Sequence, residues 1–259
     1  MSDNEPIITV LGPTATGKTG VAVRIAAELG GEIVSADSRQ VFRRMDIGSG
    51  KDLSEYQYNG NPIPYHLIDV EEPGVRYNVY RYQQEAFKAI EDIRNRGKRV
   101  VLCGGSGLYI DAVLQGYRFQ FQEDAQIVSD PVPSAIIGLR GERDHIRERI
   151  TKRLQARLQE GMVDEVKALL DEGIPPERLI RYGLEYKFVT LYLMGELHYG
   201  DMVSLLNTAI HQFSKRQMTW FRRMERMGFY IRWVDADLPE EEKFRKIYQY
   251  LQEDGIEMD

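Results

Sequence analysis

The sequence predicts an α/β protein: a parallel sheet built around a phosphate-binding loop, flanked by helices, with a helical C-terminal half. Three observations carry this. Short β-branched runs alternate with helix-period segments through the first half. A G-x-x-x-x-G-K-[ST] spacing falls between the first such run and the first helix. From residue 141 to 226 the pattern is mostly helical.

The elements follow in order. "IITVLG", "EIVSAD", "YHLIDV" and "RVVLCGG" read as buried strands, with helices over 18–29 and 79–96. Parallel neighbours need crossover connections, and these helices supply them. "SAIIGLR" (134–140) and "GFYIRWVDA" (228–236) read as a fifth and a sixth strand. Between them Ile146, Ile150, Leu154 and Leu158 recur every four residues, one apolar face of a helix. A second helical stretch, 162–172, starts past Gly161, and 201–226 is helical again. Segment 117–133, "YRFQFQEDAQIVSDPVP", has no helical period and two prolines near its end, so a linker is expected there. The whole of 1–259 is read as one domain.

Bulk properties exclude some classes. A chain of 259 residues with 42% hydrophobic and 29% charged residues is ordinary for a soluble globular protein. A net charge of −6 argues against a protein coated by nucleic acid, while allowing a local basic patch. The single cysteine, Cys103, excludes an internal disulfide; within an apolar run it is expected to be an inert core thiol. No apolar stretch is long enough to span a bilayer, and "MSDNEP" has no signal-peptide character. A cytoplasmic monomer with no membrane partner is the expectation.

The chemistry starts at Gly12, Pro13, Thr14, Ala15, Thr16, Gly17, Lys18 and Thr19. The glycines let backbone N–H groups converge on phosphate oxygens, and the following helix adds its positive end. Lys18 supplies a point charge, and the Thr19 hydroxyl is a ligand for Mg²⁺. The motif specifies a polyphosphate, a nucleotide among the candidates, without singling out ATP. Asp37 and Asp69 end apolar strands, where a metal-linked or proton-accepting carboxylate belongs. "CGGSG" forms a second close-approach loop with Gly105 and Ser106. Such strand ends share one crevice in an open parallel sheet.

Several blocks are more specific than a phosphate loop. "GPTATGKT", "SADSRQVFRRMDIGSGK", "YHLIDV", "GGSGLYIDAV", "RERITKRLQARLQEGMVDEV" and "SKRQMTWFRR" occur in this order between residue 8 and about 235. In these blocks the chain resembles the tRNA dimethylallyltransferases (tRNA isopentenyltransferases). The resemblance implies transfer of a dimethylallyl group from dimethylallyl diphosphate to the N6 amine of an adenine, with diphosphate leaving. It implies Asp37 as general base, Thr19 and Lys18 on the diphosphate and its magnesium, and Arg153 on the diphosphate. Ser38, Gln40, Gly105, Ser106 and Thr14 fall in the matching substrate loops. The exocyclic amine is a poor nucleophile, so a carboxylate that accepts its proton suits the reaction. Cations around the diphosphate stabilise charge as the allylic C–O bond breaks.

The departures concern the acceptor. Family members usually carry a helical insertion of some tens of residues where only 117–133 stands here, and a motif of the N-D-x-x-R type is absent. His211 replaces an arginine of a family T-R-Q, and Leu184 follows Gly183 where a tyrosine is usual. Ser49 and Gly50 are conservative changes in "DIGSGK". Lys215, Arg216, Arg222, Arg223 and Arg226, with Gln217 among them, are expected tRNA contacts, since basic side chains fix a nucleic-acid backbone. Arg149 and Arg157 read as a solvated helix face. A free adenine nucleotide therefore stays open as acceptor. A small-molecule kinase leaves "DSRQVF" and "KRQMTWF" unexplained, and a non-catalytic relative would be expected to lose Asp37 or Lys18.

Overall fold

The computed structural model describes residues 5–116 and 131–257, so most of the expected linker lies outside the described residues. In chain order the elements are β1 (Ile7–Leu11), α1 (Lys18–Glu28), β2 (Gly31–Ser35), the hairpin strands β3 (Gln57–Tyr58) and β4 (Asn61–Pro62), β5 (Tyr65–His66), α2 (Val79–Asn95), β6 (Arg99–Gly104) and α3 (Gly107–Leu114). After residue 130 come β7 (Ser134–Arg140), α4 (Arg143–Gln159), α5 (Met162–Asp171), α6 (Pro176–Leu179), α7 (Leu184–Leu193), α8 (Tyr199–Arg226), β8 (Ile231–Asp235) and α9 (Glu240–Glu253).

Six strands form one parallel sheet in the order β5-β2-β6-β1-β7-β8. Its strands are continuous apolar runs because both faces are covered. On one face Val21 and Ile25 of α1 pack with Phe244, Ile247 and Leu251 of α9. On the other, Tyr82 and Ile93 of α2 and Ile110 of α3 pack with Phe221 and Met224 of α8. A third core lies among the later helices, around Ile150, Leu154, Val166, Tyr186 and Leu206, and takes in Val41, Phe42 and Met45 from the loop after β2. The 28-residue α8 serves two cores, with Met202 to Ile210 in the helical one and Phe221 and Met224 on the sheet.

One element is shorter than the sequence implies. "YHLIDV" is a strand only at Tyr65–His66. Leu67 and Asp69 take left-handed backbone (φ 62° and 55°), which ends the pairing and turns the chain back towards the loop after β2. That turn meets buried Lys51, whose ammonium bonds the Phe42 carbonyl (3.0 Å) and pairs with Asp46 and Asp69.

Candidate active site

The site sits where β1, β2 and β6 end. Gly12 cannot be replaced without movement: a Cβ there would stand 2.5 Å from the Leu139 carbonyl oxygen, and φ is +156°. Ala15 (φ 64°) and Gly17 (φ 74°) complete the turn into α1. Thr16 Oγ1 and Lys18 Nζ both donate to the Pro13 carbonyl, at 2.8 Å each, so the loop is closed by its own side chains. From β6, Ser106 N–H donates to Ala36 O (3.2 Å) and Ser106 Oγ accepts from Ser38 N–H (3.0 Å). Ser106 thereby ties the third loop to the second.

Two cavities meet at Asp37. A polar one of about 70 Å³ is lined by Lys18, Thr19, Gln40, Gly105 and Arg153, with Thr14, Asp37, Arg39 and Gln217 on its wall. A larger one of about 330 Å³ shares Thr14, Asp37, Arg39 and Gln217 and extends past Ser38 and Ser106 to Tyr182, Phe213 and Arg216. Asp37 is therefore on the partition between them. Its Oδ1 accepts from the Arg39 N–H (3.0 Å) and faces Arg39 Nε at 3.6 Å. Asp69, the other strand-end carboxylate, is committed to Lys51 and lines neither cavity.

The small cavity carries excess positive charge. Lys18, Arg39, Arg153 and Arg157 stand against the carboxylates of Asp37 and Glu185. Glu185 of α7 takes Arg39 Nη1 at 2.7 Å and Arg157 Nη1 at 3.5 Å. Burial, then repulsion from Arg153, pushes the Lys18 ammonium down to about 8, with Asp37 opposing. Burial and Arg153 push Arg157 down to about 10. Arg153 is also lowered, by burial and then by Arg39, although the residue as a whole is exposed along α4. Arg39 holds its charge against burial through Glu185 and Asp37. Such a cluster favours an anion of two or more charges. The Cys103 thiol, also on this cavity, is pushed up to about 12 by burial and stays protonated. It is no nucleophile there.

A third carboxylate shapes the cavity from below. Glu165 of α5 accepts from the N–H groups of Asp46 (2.8 Å), Ile47 (2.7 Å) and Gly48 (3.0 Å) and from the Tyr186 hydroxyl (2.9 Å). It holds "DIGSGK" against the helices. The result places Gly50 beside the guanidinium groups of Arg153 and Arg157, where a Cβ would be 2.7 and 1.6 Å from their Nη2 atoms.

Several expectations need correction. Gln217 is not on the outer surface: it is 7% exposed, its Oε1 accepts from Thr14 N–H (2.9 Å), and its Nε2 donates to Gly105 O (2.8 Å). It is a strut from α8 to both glycine loops. Arg157 is not solvated but buried on Glu185, and Arg149 is paired with Asp237 at 2.6 Å. The basic cluster of α8 is divided: Arg216 lines the larger Asp37 cavity, Arg223 lies over the Trp220 ring (5.2 Å), and Lys215 and Arg222 line a different groove. Arg226 closes the helix. His211 lies 3.4 Å from Thr151 Oγ1 and is pushed below its usual range by burial. Sequence reasoning missed Arg39, Glu165 and Glu185, each positioned by partners far away in the chain.

A parallel sheet with a phosphate loop, a surplus of cations around it and a carboxylate at the next strand end defines a P-loop protein of the group-transferring class. Comparison with known proteins narrows this. The IPP transferase family model matches residues 40–130 and 119–224. The tRNA dimethylallyltransferase 1 of Parabacteroides distasonis is 48% identical over 298 alignment positions, covering 95% of this chain and 97% of the relative. The tRNA dimethylallyltransferase 2 of Bacteroides fragilis is 46% identical, covering 95% and 98%. Among solved structures, the full-length tRNA isopentenylpyrophosphate transferase of Bacillus halodurans superposes with a TM-score of 0.85 at 28% identity, over 96% of each chain. A eukaryotic dimethylallyltransferase shares the fold, with a TM-score of 0.82 at 19% identity. The chain belongs to the IPP transferase family, a family of prenyltransferases. The first relative's alignment exceeds the 259 residues present, so that relative carries residues with no counterpart here, and the family match comes as two segments that overlap at 119–130.

Proposed function

We propose that this protein transfers the dimethylallyl group of dimethylallyl diphosphate to the N6 amine of an adenine in tRNA, beside the anticodon, and releases diphosphate. The observation that carries the reading is Asp37 on the wall between a cation-lined cavity and a larger one. The names of the relatives supply the group and the acceptor. In this reading the diphosphate lies in the small cavity against Lys18, Arg153 and the loop N–H groups. The adenine enters the larger one, with its amine at Asp37. One Asp37 oxygen is engaged by the Arg39 N–H, and the other accepts the N6 proton as the C–N bond forms. The allylic C–O bond breaks in the same step, and its electron pair leaves on the diphosphate. Lys18 and Arg153 strengthen their hold as charge develops there.

Thr19 lines the small cavity, and no group of three His, Cys, Asp or Glu side chains stands together among the described residues. That suits Mg²⁺, which keeps its waters and takes few protein ligands beside substrate phosphates. Held by Thr19 and the diphosphate, it would neutralise leaving-group charge. The protonated Cys103 spares the allylic group a competing thiolate.

A second reading, transfer to a free adenine nucleotide, is favoured by the residues of the first relative that have no counterpart in this chain. Labelled dimethylallyl diphosphate offered to tRNA and to AMP side by side decides between them. Label in tRNA is expected; label in AMP alone would refute the tRNA reading.

A further inference from the structure

Outside the Asp37 site the molecule carries a groove that the reaction does not use. It has a volume of about 640 Å³ and runs from Pro13 of the phosphate loop between α4 and α8. Ile146 and Ile150 are buried along its α4 wall. That wall carries Arg143 and Arg147, one helical turn apart, with Arg140 at the end of β7. The α8 wall carries Lys215 and Arg222, with the donors Thr208, Gln212 and Thr219 between and beside them. Thr151 Oγ1 bonds Asn207 (3.1 Å) and holds the two helices side by side.

No acidic residue lines this groove, and none of its five cations has a carboxylate partner among the described residues. Of the acids on and beside α4, Glu148 is engaged with Lys152 (2.8 Å), Asp237 with Arg149 (2.6 Å) and His145 (3.1 Å), and Glu142 with His145 (3.6 Å), while Asp144 is exposed in the first turn of α4 and does not line the groove. In a chain of net charge −6, five unpaired cations facing one cavity repel one another. The arrangement is stabilised by a ligand with several negative charges along a line. We infer that this groove, which starts beside the phosphate loop at Pro13, binds successive backbone phosphates of the acceptor RNA. The inference rests on tRNA as acceptor. It adds Arg140, Arg143 and Arg147 to the RNA surface and gives the α8 cations a division of labour: Lys215 and Arg222 bind within the groove, while Arg223 and Arg226 stand outside it.

The test compares wild type, Arg143→Gln/Arg147→Gln, Lys215→Gln/Arg222→Gln on the opposite wall, and Arg245→Gln on α9, at several salt concentrations. Readouts are the KM for tRNA, its salt dependence, and the melting temperature as a check of folding. Each double variant should raise the KM about tenfold near 0.1 M salt and lower the slope of log affinity against log salt by about 1.5. Arg245→Gln should match wild type. Wild-type slopes and KM values in both double variants, with transfer to tRNA intact, would overturn the groove alone. Absence of transfer to tRNA by wild type would overturn the acceptor reading, and the groove inference with it.

Discussion

At pH 9 the ligand-free protein should take up almost one proton on binding dimethylallyl diphosphate with Mg²⁺, and Lys18 is where that proton goes. Burial and the neighbouring Arg153 lower Lys18 from 10.5 to about 8. It is then ~50% protonated at pH 8 and ~10% at pH 9. A diphosphate in contact supplies counter-charge to the ammonium and returns it to its ordinary range. Uptake is therefore ~0.5 proton at pH 8 and ~0.9 at pH 9. The last proton of a terminal phosphate leaves near pH ~6 and adds little at either value. The stability sign agrees: the folded value lies below the unfolded one, so the unfolded chain binds more protons between them. This group costs the ligand-free fold about 3 kcal/mol below pH 8, a cost that fades towards pH 10.5. Titration calorimetry in two buffers of different ionisation heat, at pH 8 and pH 9, reads the uptake directly. Lys18→Met should bring it close to zero. Identical heats in both buffers at pH 9, or uptake that survives in Lys18→Met, would refute the reasoning.

Other perturbations separate the remaining roles. Asp37→Asn should slow single-turnover transfer by ~10²–10⁴ and leave diphosphate affinity near normal, because the amide cannot accept the amine proton; wild-type single-turnover rates would remove Asp37 from the reaction. Arg153→Ala should weaken dimethylallyl diphosphate binding and also slow transfer, since its charge acts more strongly on the departing diphosphate than on the bound one; unchanged kinetics would return it to a solvent-facing role. Glu165→Ala strands three backbone N–H groups, so denaturant titration should show a loss of about 3 kcal/mol. A loss below about 0.5 kcal/mol would mean that water replaces the carboxylate without strain.

What the chain reveals before folding depends on how local the signal is. The phosphate loop, Asp37 and the β6 loop are legible because each needs residue types at fixed short spacing. Four strands extend over most of their expected runs for a similar reason: buried parallel strands are uninterrupted apolar stretches. "YHLIDV" misleads because Leu67 and Asp69 look like strand residues, while a buried lysine from another segment decides their conformation. Arg39 and Glu185 are 146 positions apart, and no local pattern pairs them. Arg157 was in part readable: it follows Leu154 by three, on the side of α4 that Ile146 and Ile150 mark as inward. The helix α9 was readable too, since Phe244, Ile247 and Leu251 recur at helical spacing. Gln217 lies in a run of basic residues that disguises an inward-facing amide, and only the facing glycine loops give it that role.

The strand order β5-β2-β6-β1-β7-β8 places β1 in the interior of the sheet. A chain leaving the ribosome can assemble β1, β2, β5 and β6 once Gly104 has emerged, with one edge of β1 open until Ser134–Arg140 arrives. The two glycine loops and Asp37 then exist, but Arg153, Glu185 and Gln217, which close the cavity, have yet to be made. β8 joins last, after α8 has been synthesised. Long-range pairing of this kind is slow and leaves strand edges exposed in the meantime. The half-made protein thus has a phosphate loop without its counter-wall, and tight capture of the donor should coincide with docking of the helical half. A truncation before residue 153 would keep the motif that makes this chain recognisable and lack the enclosure that holds its ligand.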